Sequence, residues 1–151
     1  MTKAKRKIVK RPATRKNKYH ARRSDDFDSD AEKDYSGILK LLKMAGEIKD
    51  YRHHPPPVLL FENPNGRDIS WNIDFWVQQT DDVGYYVEVK GKPTRKLPEY
   101  YLKLRMYQAK PPAPLIVVEK VISTRFKIVI AVGCGEAGVL VKALTSLIYE
   151  K

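Results

Sequence analysis

The order of patterned segments predicts an α/β domain. Three observations carry this: a helical stripe after residue 30, two alternating runs around residues 69 to 90, and a second helical segment from Pro98 followed by a continuous apolar strand at Leu115 to Val118. In the first segment, Tyr35, Ile38, Leu39, Leu41, Leu42 and Ala45 recur at helical spacing, and Gly46 is placed to stop the helix. Ser29 stands three residues before Glu32, the pattern of a capping box.

Glu47 to His53 and Val58 to Phe61 flank Pro55-Pro56-Pro57, and prolines limit that region to an edge or bent strand. Asn63-Pro64-Asn65-Gly66 is a turn signal leading into the next strand. The run 69 to 78 alternates Ile69, Trp71, Ile73, Phe75 and Val77 with Ser70, Asn72, Asp74, Trp76 and Gln78, so one ten-residue strand is expected, with Asp74 on its less apolar face. Tyr85 to Lys90 alternates in the same way and sets Tyr86, Glu88 and Lys90 together. The polar stretch Gln79 to Gly84 suits a hairpin, making the two strands antiparallel neighbours. Gly91 to Lys96 then reads as a basic loop. Pro98 to Lys110 reads as a helix with Tyr101, Leu104 and Ala109 among its apolar positions. Arg125 to Val132 adds an apolar strand, and Glu136 to Tyr149 carries a helical stripe that would cover the sheet or form a dimer contact.

At 151 residues and 42% hydrophobic content the chain is one domain long, with enough apolar surface for a core. No run approaches a membrane span, and the N-terminus lacks the apolar centre of a signal peptide, so a cytoplasmic location is expected. The single cysteine, Cys134, excludes an intrachain disulfide and a cysteine-based zinc site. Residues 1 to 23 hold eleven Lys and Arg and no acid, and 24 to 151 hold eighteen of each sign. All of the +11 excess therefore lies in the first 23 residues, a tail expected to be disordered in isolation and to attract phosphates, with Lys16, Lys18, Arg22 and Arg23 as contacts. A solubilising role, or contact with a membrane surface or acidic protein, uses the same charge. Gly133-x-Gly135-x-x-Gly138 follows an apolar strand but leaves too little chain for a dinucleotide fold.

Asp74 and Glu88, on paired strands, can converge, and Lys90 shares the face of Glu88. Two carboxylates held together repel, and a divalent cation removes that cost; all-oxygen donors suit Mg²⁺, with Mn²⁺ as substitute. Such a site can activate water and stabilise charge on a phosphoryl group, with Lys90 orienting the water or neutralising the phosphate. A cross-strand salt-bridge ladder is the competing reading. Lys92, Arg95 and Lys96 in the following loop are expected to contact phosphates. His53 and His54 are adjacent and precede three prolines, poor geometry for one ion, so they read as loop surface. Trp76 and Tyr86 could stack on an unpaired base or pack under a helix.

The set Asn72-Ile73-Asp74 with Glu88-Val89-Lys90 resembles the PD-(D/E)XK nuclease superfamily, with Ile73 where that motif usually has proline. Lys18-Tyr19, Phe27-Asp28-Ser29-x-x-Glu32 and Leu41 to Asp50 are similar to small bacteriophage-encoded endonucleases of the superfamily and to Holliday-junction resolvases, over about residues 18 to 120. The resemblance implies an αβββαβ restriction-endonuclease-like core at about 30 to 120, with a mixed sheet flanked by helices, inside one domain spanning 24 to 151. It implies Asp74, Glu88 and Glu32 as metal ligands, Lys90 as a catalytic residue, Gln108 or Lys103 approaching from the second helix, and a DNA endonuclease selective for branched or Holliday-junction DNA. Symmetric junction cutting would require a homodimer, and the host cytoplasm would be its location. Glu32 equally reads as a capping carboxylate. The alternatives are a noncatalytic nucleic-acid-binding protein that keeps the fold, and an RNA endonuclease.

Overall fold

The computed structural model describes residues 27–133. The basic tail with Lys16, Lys18, Arg22 and Arg23, the residue Cys134 and the expected helix over 136 to 149 lie outside the described residues. In chain order the elements are α1 (Asp30–Met44), β1 (Asp50–His53), β2 (Val58–Phe61), β3 (Ile69–Trp71), β4 (Phe75–Gln78), β5 (Gly84–Val89), α2 (Lys92–Arg95), α3 (Pro98–Ala109), β6 (Leu115–Ile122) and β7 (Arg125–Val132). No helix among the described residues is long and apolar enough to cross a membrane.

Helix α1 begins where its capping signal stands. Ser29 is extended and its hydroxyl accepts the Glu32 N–H. It ends at Gly46, whose φ of 77° is left-handed, with the Glu47 N–H reaching Leu42 O and the Gly46 N–H reaching Lys43 O, a Schellman closure. Helix α3 starts on Pro98, where a missing N–H costs nothing. The basic segment after Lys90 is a single helical turn, α2, rather than a loop; the Thr94 hydroxyl donates to Gly91 O.

Five strands form one sheet in the order β1-β4-β5-β6-β7. Every neighbouring pair is antiparallel except β5 and β6, which are parallel and joined through α2 and α3. A parallel pair needs such a crossover, so α3 must lie over one face of the sheet. The α/β class expected from the sequence and the mixed sheet implied by the resemblance are both observed. Strands β2 and β3 pair separately as a hairpin.

The sheet divides two cores. On one face Tyr35 and Leu39 of α1 pack on Phe75, Val77, Tyr85, Val87, Val89, Ile116, Val118 and Phe126. On the other, Tyr100, Leu104 and Tyr107 of α3, with Val58 and Trp71 of the hairpin, pack on Ile73, Leu115, Val117 and Val132. Trp71 meets Tyr100 and Tyr107 edge-on, each at 5.9 Å.

The expected continuous strand over 69 to 78 is two strands in different sheets, broken at Asn72-Ile73-Asp74. Its supposed single apolar face is divided as well: Trp71 and Ile73 lie in the α3 core, Phe75 and Val77 in the α1 core. The bend changes which core the odd-numbered residues serve, which alternation read from one dimension cannot show.

Strands β4 and β5 close at the Gln78↔Gly84 pair, and a Cβ built on Gly84 would stand 2.2 Å from Trp76 Cζ2. That indole is held by Tyr86, edge-on at 4.7 Å. Trp76 and Tyr86 thus pack on each other. Gly84→Ala is expected to lower stability by about 1–3 kcal/mol through overpacking. In a Trp76→Ala background the same change should cost little. Urea unfolding of the two single variants and the double variant checks this as a thermodynamic cycle.

Candidate metal and phosphate site

Asp74 sits in the bend just before β4, and Glu88 is near the end of β5. The Tyr86 and Lys90 N–H groups of β5 point to β6, bonding Pro114 O and Val118 O, so the alternate N–H of Val89 faces the β4 side. The β4–β5 register ends at Phe75↔Val87, and a regular ladder would next present Ile73 O to Val89. Instead Asp74 Oδ2 accepts the Val89 N–H at 2.7 Å. Glu88 Oε2 accepts the Asp74 N–H at 3.3 Å. Each carboxylate is thus tied to the backbone beside the other, and the strand break is where a side chain replaces a main-chain acceptor.

Glu88 is almost wholly buried, at 1% exposure. Lys90 Nζ lies 2.7 Å from Glu88 Oε1, and the Trp71 indole also donates to this carboxylate. Burial raises the pKa of Glu88, against the opposing pull of Lys90. Burial, then the Glu88 charge, raises that of Asp74 well above the ordinary carboxylate value. Burial opposes the charge on Lys90, yet Glu88 and Asp74 outweigh it and hold the lysine pKa above its usual value. Two acids and one base share a poorly hydrated place, so the group would carry an excess of negative charge with both acids ionised, and the raised pKa values reflect that cost. A balanced salt-bridge ladder has no such excess, whereas a divalent cation would remove it.

Lys90 opens onto a cleft of about 200 Å³ whose walls include Trp71, Tyr100 and Lys103. The Tyr100 hydroxyl has no hydrogen-bond partner among the described residues, and its pKa is pushed up to about 12, by burial first and then by Glu88. Lys103 extends into this cleft from α3 with its ammonium 3.0 Å from Glu99 Oε1, while Gln108 is exposed one turn further along. Between the two candidates on that helix, position favours Lys103.

The basic positions after β5 divide. Lys92 and Lys96 are exposed, but Arg95 pairs with buried Glu119 at 2.7 Å, and Lys127 reaches the other oxygen of Glu119 at 3.2 Å. Arg95 is therefore spent on the fold rather than presented for phosphate contact. A short-range pattern of basic residues could not reveal a partner on β6.

Glu32 is buried, at 6% exposure, on the first turn of α1. It is a cap residue of an unusual kind: the Ser29 hydroxyl donates to Glu32 Oε1 at 3.1 Å. Its Oε2 lies 3.6 Å from His53 Nε2 and 3.8 Å from His54 Nε2. Its charge is felt at both Asp74 and Lys90, which makes it an electrostatic neighbour of the pair. The two histidines do not behave as separate loop residues. Consecutive strand side chains should diverge, but His54 has a φ of 49° and its ring folds back to stack on His53, centroids 3.7 Å apart. Nothing in the local sequence signals that reversal.

Comparison of the chain with protein-family models, curated proteins and solved structures gives no match.

A carboxyl group whose pKa is raised by folding binds protons more readily in the folded chain, so stability rises as pH falls through that raised value toward the unfolded one. In EDTA the Asp74 and Glu88 contribution to the thermal midpoint is therefore expected to become more favourable as pH falls from about 8 to about 5.5, against the opposite contribution of His53, and the comparison with Asp74→Asn isolates it. Asp74→Asn should raise the midpoint at the higher pH and shrink the difference between the two. Differential scanning fluorimetry of both proteins at the two pH values checks it. Separately, Arg95→Ala leaves a buried carboxylate short of a partner and should cost about 1–3 kcal/mol in urea unfolding. Lys92→Ala and Lys96→Ala should leave the midpoint where it is.

Proposed function

We propose that this protein is a Mg²⁺-dependent DNA endonuclease that hydrolyses phosphodiester bonds. The observation behind this is the Asp74–Glu88 pair, two carboxylates interlocked through backbone N–H groups and buried, with Lys90 the one cation paired to them among the described residues. The donors fit a hard divalent cation: both are oxygen ligands, and Asp74 Oδ1 stands outside the bond to Val89. Asp74 and Glu88 would hold the ion, which when bound supplies polarisation of a water and of the scissile phosphate.

The chain's own groups divide the remaining work. Lys90, fixed by Glu88, holds a charged donor at the mouth of the cleft, where an attacking water or a phosphate oxygen would sit. Lys103 brings a second ammonium to the same space, suited to the flanking phosphate. Tyr100 stays protonated through the neutral range and offers its hydroxyl as a donor. Glu32 contributes further negative charge that favours a cation at the pair. Lys92 and Lys96 stand beside this centre on the surface, and the basic tail adds attraction to phosphates.

The preference for DNA, and for branched or Holliday-junction DNA cut by a homodimer, rests on the likeness of Asp74 and Glu88-Val89-Lys90 to PD-(D/E)XK nucleases. It is supported by the order of helix, antiparallel strands, helix and parallel strand around the pair. A noncatalytic nucleic-acid-binding protein would gain affinity by losing these carboxylates, so their burial as a pair beside Lys90 favours the metal-dependent reading.

Labelled four-way junction, flap, linear duplex and single-stranded DNA, with an RNA counterpart, should be incubated with Mg²⁺, Mn²⁺ or EDTA. The expected result is cleavage of DNA in either metal, none in EDTA, and a loss of at least about a hundredfold in Asp74→Asn and Lys90→Ala. Paired symmetric cuts in the junction would establish the resolvase class. Tight binding without cleavage of any substrate in either metal would leave the binding protein.

A further inference from the structure

We propose that Glu32, His53 and His54 form a second metal site, distinct from the Asp74–Glu88 pair in donor chemistry, that takes a divalent transition-metal ion of the imidazole-preferring class, with Zn²⁺ as its probe. The three ligand atoms lie within 4.8 Å of one another. Donors around a tetrahedral ion bound at 2.0–2.1 Å are about 3.4 Å apart. The observed separations of 3.6 and 3.8 Å from Glu32 Oε2 to the two Nε2 atoms are within a few tenths of an ångström of that. They are too long for hydrogen bonds.

Glu32 Oε2 is the second, independent sign. The Glu32 side chain is only 8% exposed, yet among the described residues this oxygen has no hydrogen-bond partner, and neither has His53 Nε2. Buried polar atoms are rarely left so, because each forfeits its hydration. The two unpartnered atoms stand 3.6 Å apart, a separation that an ion between them would satisfy.

The surroundings are those of a held ligand set. Ser29 donates to Glu32 Oε1 and accepts the Glu32 N–H, which fixes the carboxylate with Oε2 on the side of the two histidines. Phe27 and Phe75 wall the His53 ring at 4.7 and 5.0 Å, and His54 stacks on its other side. The left-handed backbone at His54, with φ of 49°, brings a second imidazole beside the first. Asp28 Oδ2, 3.8 Å from His54 Nε2, is the carboxylate available to close a fourth position.

Two imidazoles and a carboxylate select against Mg²⁺, which prefers oxygen and retains its waters. This inference stands without the hydrolytic one, because it is read by binding alone and shares with that site only the charge of Glu32.

The test is calorimetric titration of the full chain, stripped with chelator, with Zn²⁺ in the presence of excess Mg²⁺. Alongside it, long-range ¹H–¹⁵N spectra follow the imidazole nitrogens. One ion per chain is expected, with Nε2 of His53 and His54 shifted. His53→Ala and Glu32→Gln should each weaken binding at least about tenfold. So should His54→Asn, which keeps a residue tolerant of the left-handed backbone. Asp74→Asn should bind Zn²⁺ as the wild type does, even if it has lost cleavage. Zn²⁺ binding that survives both histidine changes, that vanishes with Asp74→Asn, or that is undetectable in wild-type protein at about 100 µM metal overturns the assignment. Each variant's urea midpoint is measured first. If His53→Ala fails to fold, the exposed His54 position and its imidazole resonances decide the outcome.

Discussion

The structure around the site depends on one exchange of hydrogen bonds. Asp74 gives its backbone N–H to Glu88 and takes the Val89 N–H on its own carboxylate. Because a side-chain oxygen ends the β4–β5 ladder, the main chain is free to bend at residues 72 to 74. The bend lets β3 leave the large sheet and pair with β2, which places Trp71 over the Glu88 side chain. The indole then both covers the carboxylate and donates to it. Burial, strand break and covering layer are consequences of the same two bonds.

That exchange also sets the electrostatics. Backbone donors stabilise the charged forms of both acids, but burial and mutual repulsion push the other way, and the net direction is toward protonation. The chain holds carboxylates that are uncomfortable as isolated anions. Such tension is common where a fold is arranged for a cation rather than for its own maximal stability. The contrast with Glu119 is instructive. Equally buried, it is met by both Arg95 and Lys127, and it reads as a tie between β6, β7 and α2.

On the opposite face of the sheet, α1 brings Glu32 to the end of β1. Ser29 serves two purposes there, capping the helix and directing the carboxylate. The end of β1 is also where His54 takes up its left-handed backbone before Pro55. Two acidic centres of different donor chemistry thus lie near one another across the first strands, close enough for the Glu32 charge to be felt at Asp74 and Lys90.

Much of this was legible in the sequence. Periodicity placed both long helices, and strands near their observed bounds, because the burial of one face imposes spacing on the residues themselves. Ser29, Gly46 and Pro98 marked helix ends through purely local chemistry. Asp74, Glu88 and Lys90 could be brought together on paper because a hairpin fixes which residues face each other. What only the tertiary structure decided involves partners far apart in the chain or a reversal of local direction. These are the break at Asp74, whose cause is an N–H on another strand, the pairing of Arg95 with Glu119, the choice of Lys103 over Gln108, and the stacking of His53 on His54. A sequence pattern records preferences residue by residue. It cannot record that one carboxylate will take the place of a carbonyl, or that one left-handed residue will stack two adjacent rings beside a buried carboxylate.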